Sequence, residues 1–412
     1  MNIFLISHYA GSPKLGMAYR PYYLAKEWTK LGHKVCILAA DNSHLRHQNI
    51  HFKKDFTEEN IENIKYIWVK TPKYKGNNIG RIFNILTFVL KSLLKSKKLA
   101  KTYKPDVVIS SSTYPLDNYI AHKISKIAKS KYIFEVHDLW PLSPIELGGF
   151  HKYHPFIMVM QKAEDFGYRN ADAIVSMLPK TKEHMRQHGL DLKKWNHIPN
   201  GIFIEDWNNK EKIPDKHQVL LEKLKEEKKI IVGYAGGHAI SNALDTLIKA
   251  AHLLKDNNNF AFVLVGKGVE KENLIKQANG LNNIHFLDPV NKNSVPDLLS
   301  YMDILYIGWN KSPLYRFGVS PNKVFDYMMA KKPILHAVEA GNDIVKEANA
   351  GISIKPQNPN EIVHALLKFK TLSVEEKQKM GDNAYNYVIK KHDYKILAKQ
   401  FIDIIEQIQV SK

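Results

Sequence analysis

Short β-branched runs alternate with longer helical patterns along this chain, and the alternation starts twice. In the first stretch the runs are Ile3–Ser7, Lys34–Ala39, Tyr66–Val69, Val107–Ser110, Tyr132–His137 and Ala173–Ser176, with His197–Pro199 as a short last one. Helical pieces lie between them. In Arg20–Leu31, for example, Leu24, Trp28 and Leu31 share one face and Gly32 offers a C-terminal cap. Such alternation means a parallel sheet wrapped by helices. After Asn200-Gly201 the text turns polar and charged, through Asn208-Asn209-Lys210-Glu211-Lys212 and Glu226-Glu227-Lys228-Lys229, which reads as a linker and a surface helix. The pattern restarts at Ile230-Ile231-Val232-Gly233-Tyr234-Ala235-Gly236-Gly237. Further strands are expected at Phe260–Val265, Ile284–Leu287, Ile304–Ile307, Pro333–His336 and Gly351–Ile354. An amphipathic helix, Tyr394–Val410, carries Ile396, Leu397, Phe401, Ile404 and Ile405. The expected organisation is an α/β domain over 1–205, a linker over 206–229, a second α/β domain over 230–393 and a C-terminal helix over 394–412.

At 412 residues the chain is long enough for two or three full cores. Its single cysteine, Cys36, lies in the apolar run Val35-Cys36-Ile37-Leu38 and reads as a buried hydrophobe. The first residues, Met1 to His8, read as a strand and not as a signal peptide. The longest mostly apolar stretch, Ile82 to Leu94, is interrupted by Asn84, Thr87, Lys91 and Ser92, short of the ~20 residues a spanning helix needs. A soluble or peripheral protein is expected. The formal net charge of +19 predicts attraction to an anion, whether nucleic acid, a lipid surface or a phosphorylated ligand.

In open parallel sheets ligands bind beyond the carboxyl ends of the strands, and Gly-rich turns stand there in both halves. One is His8-Tyr9-Ala10-Gly11-Ser12-Pro13-Lys14-Leu15-Gly16, the other Gly233-Tyr234-Ala235-Gly236-Gly237-His238. Glycines let backbone N–H groups approach a phosphate, although a plain tight turn has the same composition. Neither loop has the GxGxxG or GxxxxGK[ST] spacing. More distinctive is Phe134-Glu135-Val136-His137-Asp138-Leu139-Trp140-Pro141, where an apolar strand ends in His-Asp, at the edge where reactive groups sit. A third segment, Arg316-Phe317-Gly318-Val319-Ser320-Pro321-Asn322-Lys323-Val324-Phe325-Asp326, opens a helix at Ser320-Pro321. Lys323 and Asp326 then share a helical face. They suit a diphosphate and ribose hydroxyls, or alternatively form an i,i+3 surface ion pair.

Taken in order, these pieces resemble the family 4 retaining glycosyltransferases of the GT-B fold: Leu31-Gly32-His33-Lys34-Val35, Pro105-Asp106-Val107-Val108-Ile109, His137-Asp138-Leu139-Trp140-Pro141, Ile198-Pro199-Asn200-Gly201, Tyr234-Ala235-Gly236-Gly237, Val265-Gly266-Lys267-Gly268 and Ser320-Pro321-Asn322-Lys323 with Asp326-Tyr327-Met328. The chain is most similar to bacterial enzymes that add N-acetyl-fucosamine or related amino sugars in surface-polysaccharide assembly. The resemblance implies two Rossmann-like domains facing across a cleft, with the C-terminal helix packing back on the first. It also implies a nucleotide-sugar donor on the second domain, at Gly236, Gly237, Gly266, Val290, Arg316, Ser320, Pro321, Asn322, Lys323 and Asp326. The acceptor, a polyprenyl-diphosphate-linked glycan, is expected on the first domain at Gly11, Gly16 and Arg20, with His137, Asp138 and Lys323 catalytic.

Two departures stand out. The family's paired glutamates fall at Gly318 and Asp326, and its Arg and Lys phosphate clamp is missing from Gly236-Gly237-His238-Ala239-Ile240-Ser241, so Lys323 and Arg316 are expected to supply that charge. No Asp-x-Asp pair occurs. Neither metal nor cofactor is therefore expected, and departure of a nucleoside diphosphate falls to side chains and helix N-termini. In retaining members of the fold the resemblance implies attack from the leaving group's side, the departing phosphate taking the proton.

The basic stretch Arg81–Lys98 has Ile82, Ile85, Leu86, Val89 and Leu93 as its expected core face. Phe83, Phe88, Leu90 and Leu94 broaden the apolar surface, which with the lysines suits an anionic membrane and a cytoplasmic, peripheral location on the inner leaflet. A UDP-sugar epimerase of the same fold and a basic nucleic-acid-binding protein are the alternatives. The lack of a zinc-finger spacing or an RNA-binding motif counts against nucleic acid.

Overall fold

In a computed structural model describing residues 1–16, 19–46, 48–74, 76 and 78–410, the strands fall into two sheets. The first holds β1 (Asn2–Ile6), β2 (Lys34–Ala40), β3 (Thr57–Ile61), β4 (Ile64–Val69), β5 (Val107–Ser110), β6 (Lys131–Val136), β7 (Ala173–Ser176) and β8 (Trp195–His197). Their order is β3-β4-β2-β1-β5-β6-β7-β8, and every neighbouring pair is parallel except β3 with β4. Ile6 pairs with Leu38 on one side and Ser110 on the other, so the winding reverses between β1 and β5. These strands are covered on both faces, which is why they read as unbroken apolar runs such as Phe4-Leu5-Ile6 and Val107-Val108-Ile109.

β3 is absent from the expected strands. It is a polar edge strand, Thr-Glu-Glu-Asn-Ile, whose Glu58 pairs with Lys65 and whose Glu59 accepts from Trp68 Nε1. Its two-residue turn places Glu62 and Asn63 at φ 46° and 66°, the mirror-image turn that suits a twisted hairpin.

The chain separates into two units, Met1–Asn200 with Tyr394–Lys412 (unit 1) and Gly201–Asp393 (unit 2). The helix Tyr394–Val410 belongs to unit 1, as expected. Trp28 Nε1 donates to Ala398 O at 3.1 Å, and the Trp28 ring meets Phe401 edge-on. Trp28 lies on the helix Arg20–Lys30, which Gly32 ends at φ 85°, the N–H of His33 reaching back to Trp28 O and that of Gly32 to Thr29 O.

A second long helix, Ile79–Tyr103, buries Ile85, Phe88, Val89 and Leu99. Its faces differ from expectation at two positions. Phe88 is buried, whereas Leu86 joins Phe83, Leu90 and Leu94 on the exposed side.

Unit 2 holds β9 (Ile230–Ala235), β10 (Phe260–Val265), β11 (Ile284–Leu287), β12 (Ile304–Gly308), β13 (Ile334–Ala337) and β14 (Gly351–Ile354). The order is β11-β10-β9-β12-β13-β14, all parallel, with its reversal between β9 and β12. Apolar layers cover both faces, one with Met302, Val324 and Phe325, the other with Leu247, Leu335 and Leu366. The segment expected as a linker and a surface helix does hold a helix, Asp215–Glu226, which belongs to this unit and buries Leu221 and Leu224 in the first layer. Spaced apolar residues in a charged helix drive that packing, and local charge density conceals it.

Candidate functional site

At the carboxyl end of β9 the chain turns through Gly236-Gly237, and the turn after β10 crosses it so closely that a Cβ on Gly266 would overlap Gly236 O. The same closeness admits a side chain from below. A Cβ on Gly236 would lie 3.3 Å from Lys323 Nζ. Lys323 sits in the first turn of the helix Asn322–Met329, tethered to β9 by the Ala235 N–H, which donates to Tyr327 OH at 2.9 Å. Lys323 Nζ donates to Tyr234 OH at 2.8 Å and Asn242 Oδ1 at 2.9 Å, and lies 4.5 Å from the centroid of the Tyr234 ring. Both acceptors are neutral. Burial pushes the Lys323 ammonium down to about 7.

Asp326 forms no ion pair with Lys323 among the described residues, so the surface-pair reading of these two residues does not describe the structure. Burial pushes the Asp326 carboxyl up to about 6, with the Lys292 ammonium opposing the shift. Beside the loop, the fully buried His238 ring is lowered to about 4, by burial first and then by Lys271 and Lys323. Lys271 Nζ donates to Gly266 O and Leu287 O, fastening the turn after β10 to the end of β11.

The remaining residues expected at the donor are placed as follows. Pro321 is the N-cap and not the first helical residue, with half-buried Ser320 before it and exposed Asn322 opening the helix. Gly237 is exposed, its carbonyl accepting from Tyr234 OH and Asn242 Nδ2. Val290 packs against the core of unit 2. Arg316 is exposed and folds back on its own turn, donating to Pro313 O with its guanidinium 4.3 Å from the Phe317 ring centroid.

Unit 1 gathers a different set at the carboxyl ends of β1, β5 and β6. His137 Nε2 lies 2.9 Å from Ser111 Oγ and 3.3 Å from Glu135 Oε2. Glu135 is fully buried. Burial alone would raise its carboxyl, but the Arg20 guanidinium at 2.9 Å, with His137 and the Ser111 hydroxyl, holds it at about 2. An ionised carboxylate only accepts and the Ser111 hydroxyl donates to Glu135, so the network places a hydrogen on His137 Nε2. Asp138 follows with its side chain exposed to solvent.

Arg20, expected at the acceptor, is only 5% exposed and donates to Glu135, Pro199 O and Ile198 O, so it lies one contact behind His137. Of the two glycines expected at the acceptor, Gly11 is tied to β4, its carbonyl accepting from Tyr66 OH, and Gly16, at φ 87°, donates to Ser12 O within the loop. Sequence reasoning missed Glu135, Tyr234 and Asn242. It missed His8 too, a buried ring joined to Tyr114 OH and Asn84 Oδ1 beside the same edge.

Two family models divide the chain in its own order. Residues 16–206 match Glycosyltransferase Family 4, and residues 216–387 match Glycosyl transferases group 1. No curated protein matches. Among solved structures, sucrose-phosphate synthase from Thermosynechococcus elongatus is similar at TM-score 0.75 and 13% identity, covering 100% of both chains. HepE from Anabaena, in complex with UDP and glucose, is similar at TM-score 0.66 and 15% identity, with 98% of this chain and 99% of that one covered. A glycosyltransferase from Rickettsia africae gives TM-score 0.68 and 16% identity, covering 100% and 99%. With the two doubly wound sheets, these matches define a glycosyltransferase of the GT-B type.

Proposed function

We propose that the protein transfers a sugar, an N-acetylated amino sugar in our reading, from a UDP-linked donor held by unit 2 to a polyprenyl-diphosphate-linked glycan held by unit 1. The transfer retains anomeric configuration and serves surface-polysaccharide (O-antigen or capsule) assembly. The observation that carries the reading is Lys323, an ammonium set against the Gly236 backbone and supported only by neutral acceptors among the described residues. Such a group gains most when a dianion arrives, and it stabilises charge that grows as the sugar–phosphate bond breaks. That HepE is described with UDP and glucose supports a nucleotide sugar as donor.

In the proposed reaction the acceptor oxygen bonds to the anomeric carbon as the UDP oxygen leaves from the same face. The acceptor's proton passes to the departing phosphate. His137, its ring fixed by Glu135, orients the reacting sugar through Nδ1, and Asp326 accepts from the ribose hydroxyls. Neither metal nor cofactor is required in this scheme. No helix among the described residues is long and apolar enough to cross a membrane. We read association with the inner leaflet as peripheral, through the exposed Phe83, Leu86, Leu90 and Leu94 and the lysines that follow.

The test is a panel of UDP- and GDP-sugars, followed by thermal shift and by donor hydrolysis. A single UDP-sugar should both raise the melting temperature and be hydrolysed slowly without acceptor. Epimer formation without any acceptor, or a response to GDP-sugars alone, would replace the reading.

A further inference from the structure

A second cluster of exposed apolar side chains stands on unit 1, apart from the long helix. Leu147, Phe150 and Tyr153, at 58%, 41% and 66% exposure, lie in an open loop, and Met158 and Val159 continue it on the helix Pro155–Asn170. All of residues 147–155 are exposed. Phe150 packs edge-on against the His154 ring, so the loop is a formed element. Its topological position is informative. The helices Ile79–Tyr103, Asp117–Ala128 and Pro155–Asn170 lie side by side, joined by Lys123 Nζ donating to Leu93 O and by the Tyr119 and Phe166 rings at 4.7 Å. Each follows a parallel strand and runs back along the sheet, so their first turns share the rim at the strands' carboxyl ends. Phe83 and Leu86 stand on that rim at one helix, and Phe150, Tyr153, Met158 and Val159 at the other.

Charge singles out one occupant. From residue 63 to 105 the chain carries eleven Lys or Arg and not one Asp or Glu, with Lys65 and Lys91 paired to Glu58 and Asp55 outside the segment, and from 147 to 163 it carries Lys152 and Lys162, again with no acid. A protein partner of mixed charge would not need two acid-free segments. A uniformly anionic plane would. Resting on the reading of a lipid-linked acceptor, we propose that unit 1 docks on an anionic lipid leaflet at two places, the exposed face of the helix Ile79–Tyr103 and the loop 147–155 with Met158 and Val159. Two separated contacts fix the tilt of unit 1 on a surface more firmly than one amphipathic helix does.

The buried Cys36 makes the test direct. In a Cys36→Ala background, an environment-sensitive fluorophore is attached at Leu90→Cys, Tyr153→Cys or, as a control on unit 2, Val374→Cys, a position 74% exposed. Vesicles of phosphatidylcholine with phosphatidylglycerol should shift the emission to the blue at positions 90 and 153 and leave 374 unchanged. Pure phosphatidylcholine should shift none. The double variant Phe150→Asp with Tyr153→Asp should weaken vesicle partitioning on the order of tenfold, and Lys152→Gln about fivefold. Transfer to a short-chain, water-soluble acceptor should persist in both, which shows that they fold. A shift at 90 without one at 153 overturns the two-point surface while leaving the transferase reading standing. Equal shifts with neutral vesicles overturn the anionic leaflet.

Discussion

The state of Lys323 leads to a titration that the free protein and its UDP complex should not share. Burial holds the ammonium at about 7, well below the usual lysine range. A diphosphate beside it replaces the lost hydration and restores the charged form. At pH 7 about half of the free molecules then carry the charge, at pH 8 about a tenth and at pH 9 about a hundredth. Because the anion selects the charged form, UDP affinity should fall about tenfold per pH unit above ~7.5. Binding should take up ~0.5 proton at pH 7 and ~0.9 at pH 8. The neighbours do not mask the effect. His238, at about 4, is already neutral across this range, Tyr234 is raised well above it, and Asn242 does not titrate. Calorimetry in buffers of different ionisation enthalpy measures the uptake, and Lys323→Met should abolish both the uptake and the pH slope. Affinity that changes less than about threefold between pH 7 and 9, or binding without proton uptake, would refute the reasoning and move the diphosphate elsewhere.

Further outcomes follow from the other groups. His137→Ala should lower turnover on the order of 10²–10³-fold while UDP thermal stabilisation stays near wild type, since Ser111 and Glu135, which hold the ring, belong to unit 1. Glu135→Gln leaves the buried Arg20 without its counter-charge and should cost ~3–5 kcal/mol in urea unfolding, and adding Arg20→Met should return part of that stability but not the turnover. Because the Glu135 carboxyl is held at about 2, below its ordinary value of 4.5, its stabilisation is present above 4.5 and lost as pH falls towards 2; acid unfolding of the Gln variant should be correspondingly flatter there. Asp326→Asn should raise the donor KM more than it lowers kcat, because ribose contacts are alike in the ground and transition states, and EDTA should alter neither constant.

The parallel cores were legible because strands covered on both faces must be continuous apolar runs, and Val107–Ser110, Ala173–Ser176 and Phe260–Val265 coincide with what the residues suggest. β3 was not, since its turn uses Glu62-Asn63 without a glycine and its stability comes from edge charges. On the helix Ile79–Tyr103 apolar residues cover more than half the circumference, so periodicity could not decide between Leu86 and Phe88 for the interior; tertiary packing did. At the sites the segments were visible but their partners were not. Lys323 meets Tyr234 and Asn242 across 89 and 81 residues of sequence, and no local pattern encodes that. Glu135 was readable in principle. In a strand it shares a face with His137, and an acid amid Tyr132-Ile133-Phe134 needs a counter-charge.

The path of the chain also sets an order of assembly during synthesis. Unit 1 begins at Met1 but is completed only by the helix Tyr394–Val410, which covers Trp28 and presents Phe401 to it. Everything between Gly201 and Asp393 is translated before that cover exists. The nascent first sheet must therefore wait with one apolar helix face open, while unit 2 has its whole sequence available and can close first. A stop codon shortly after Asp393 would thus strike the domain that was begun earliest, and its product should aggregate through the Trp28 face even with all the strands of both sheets intact.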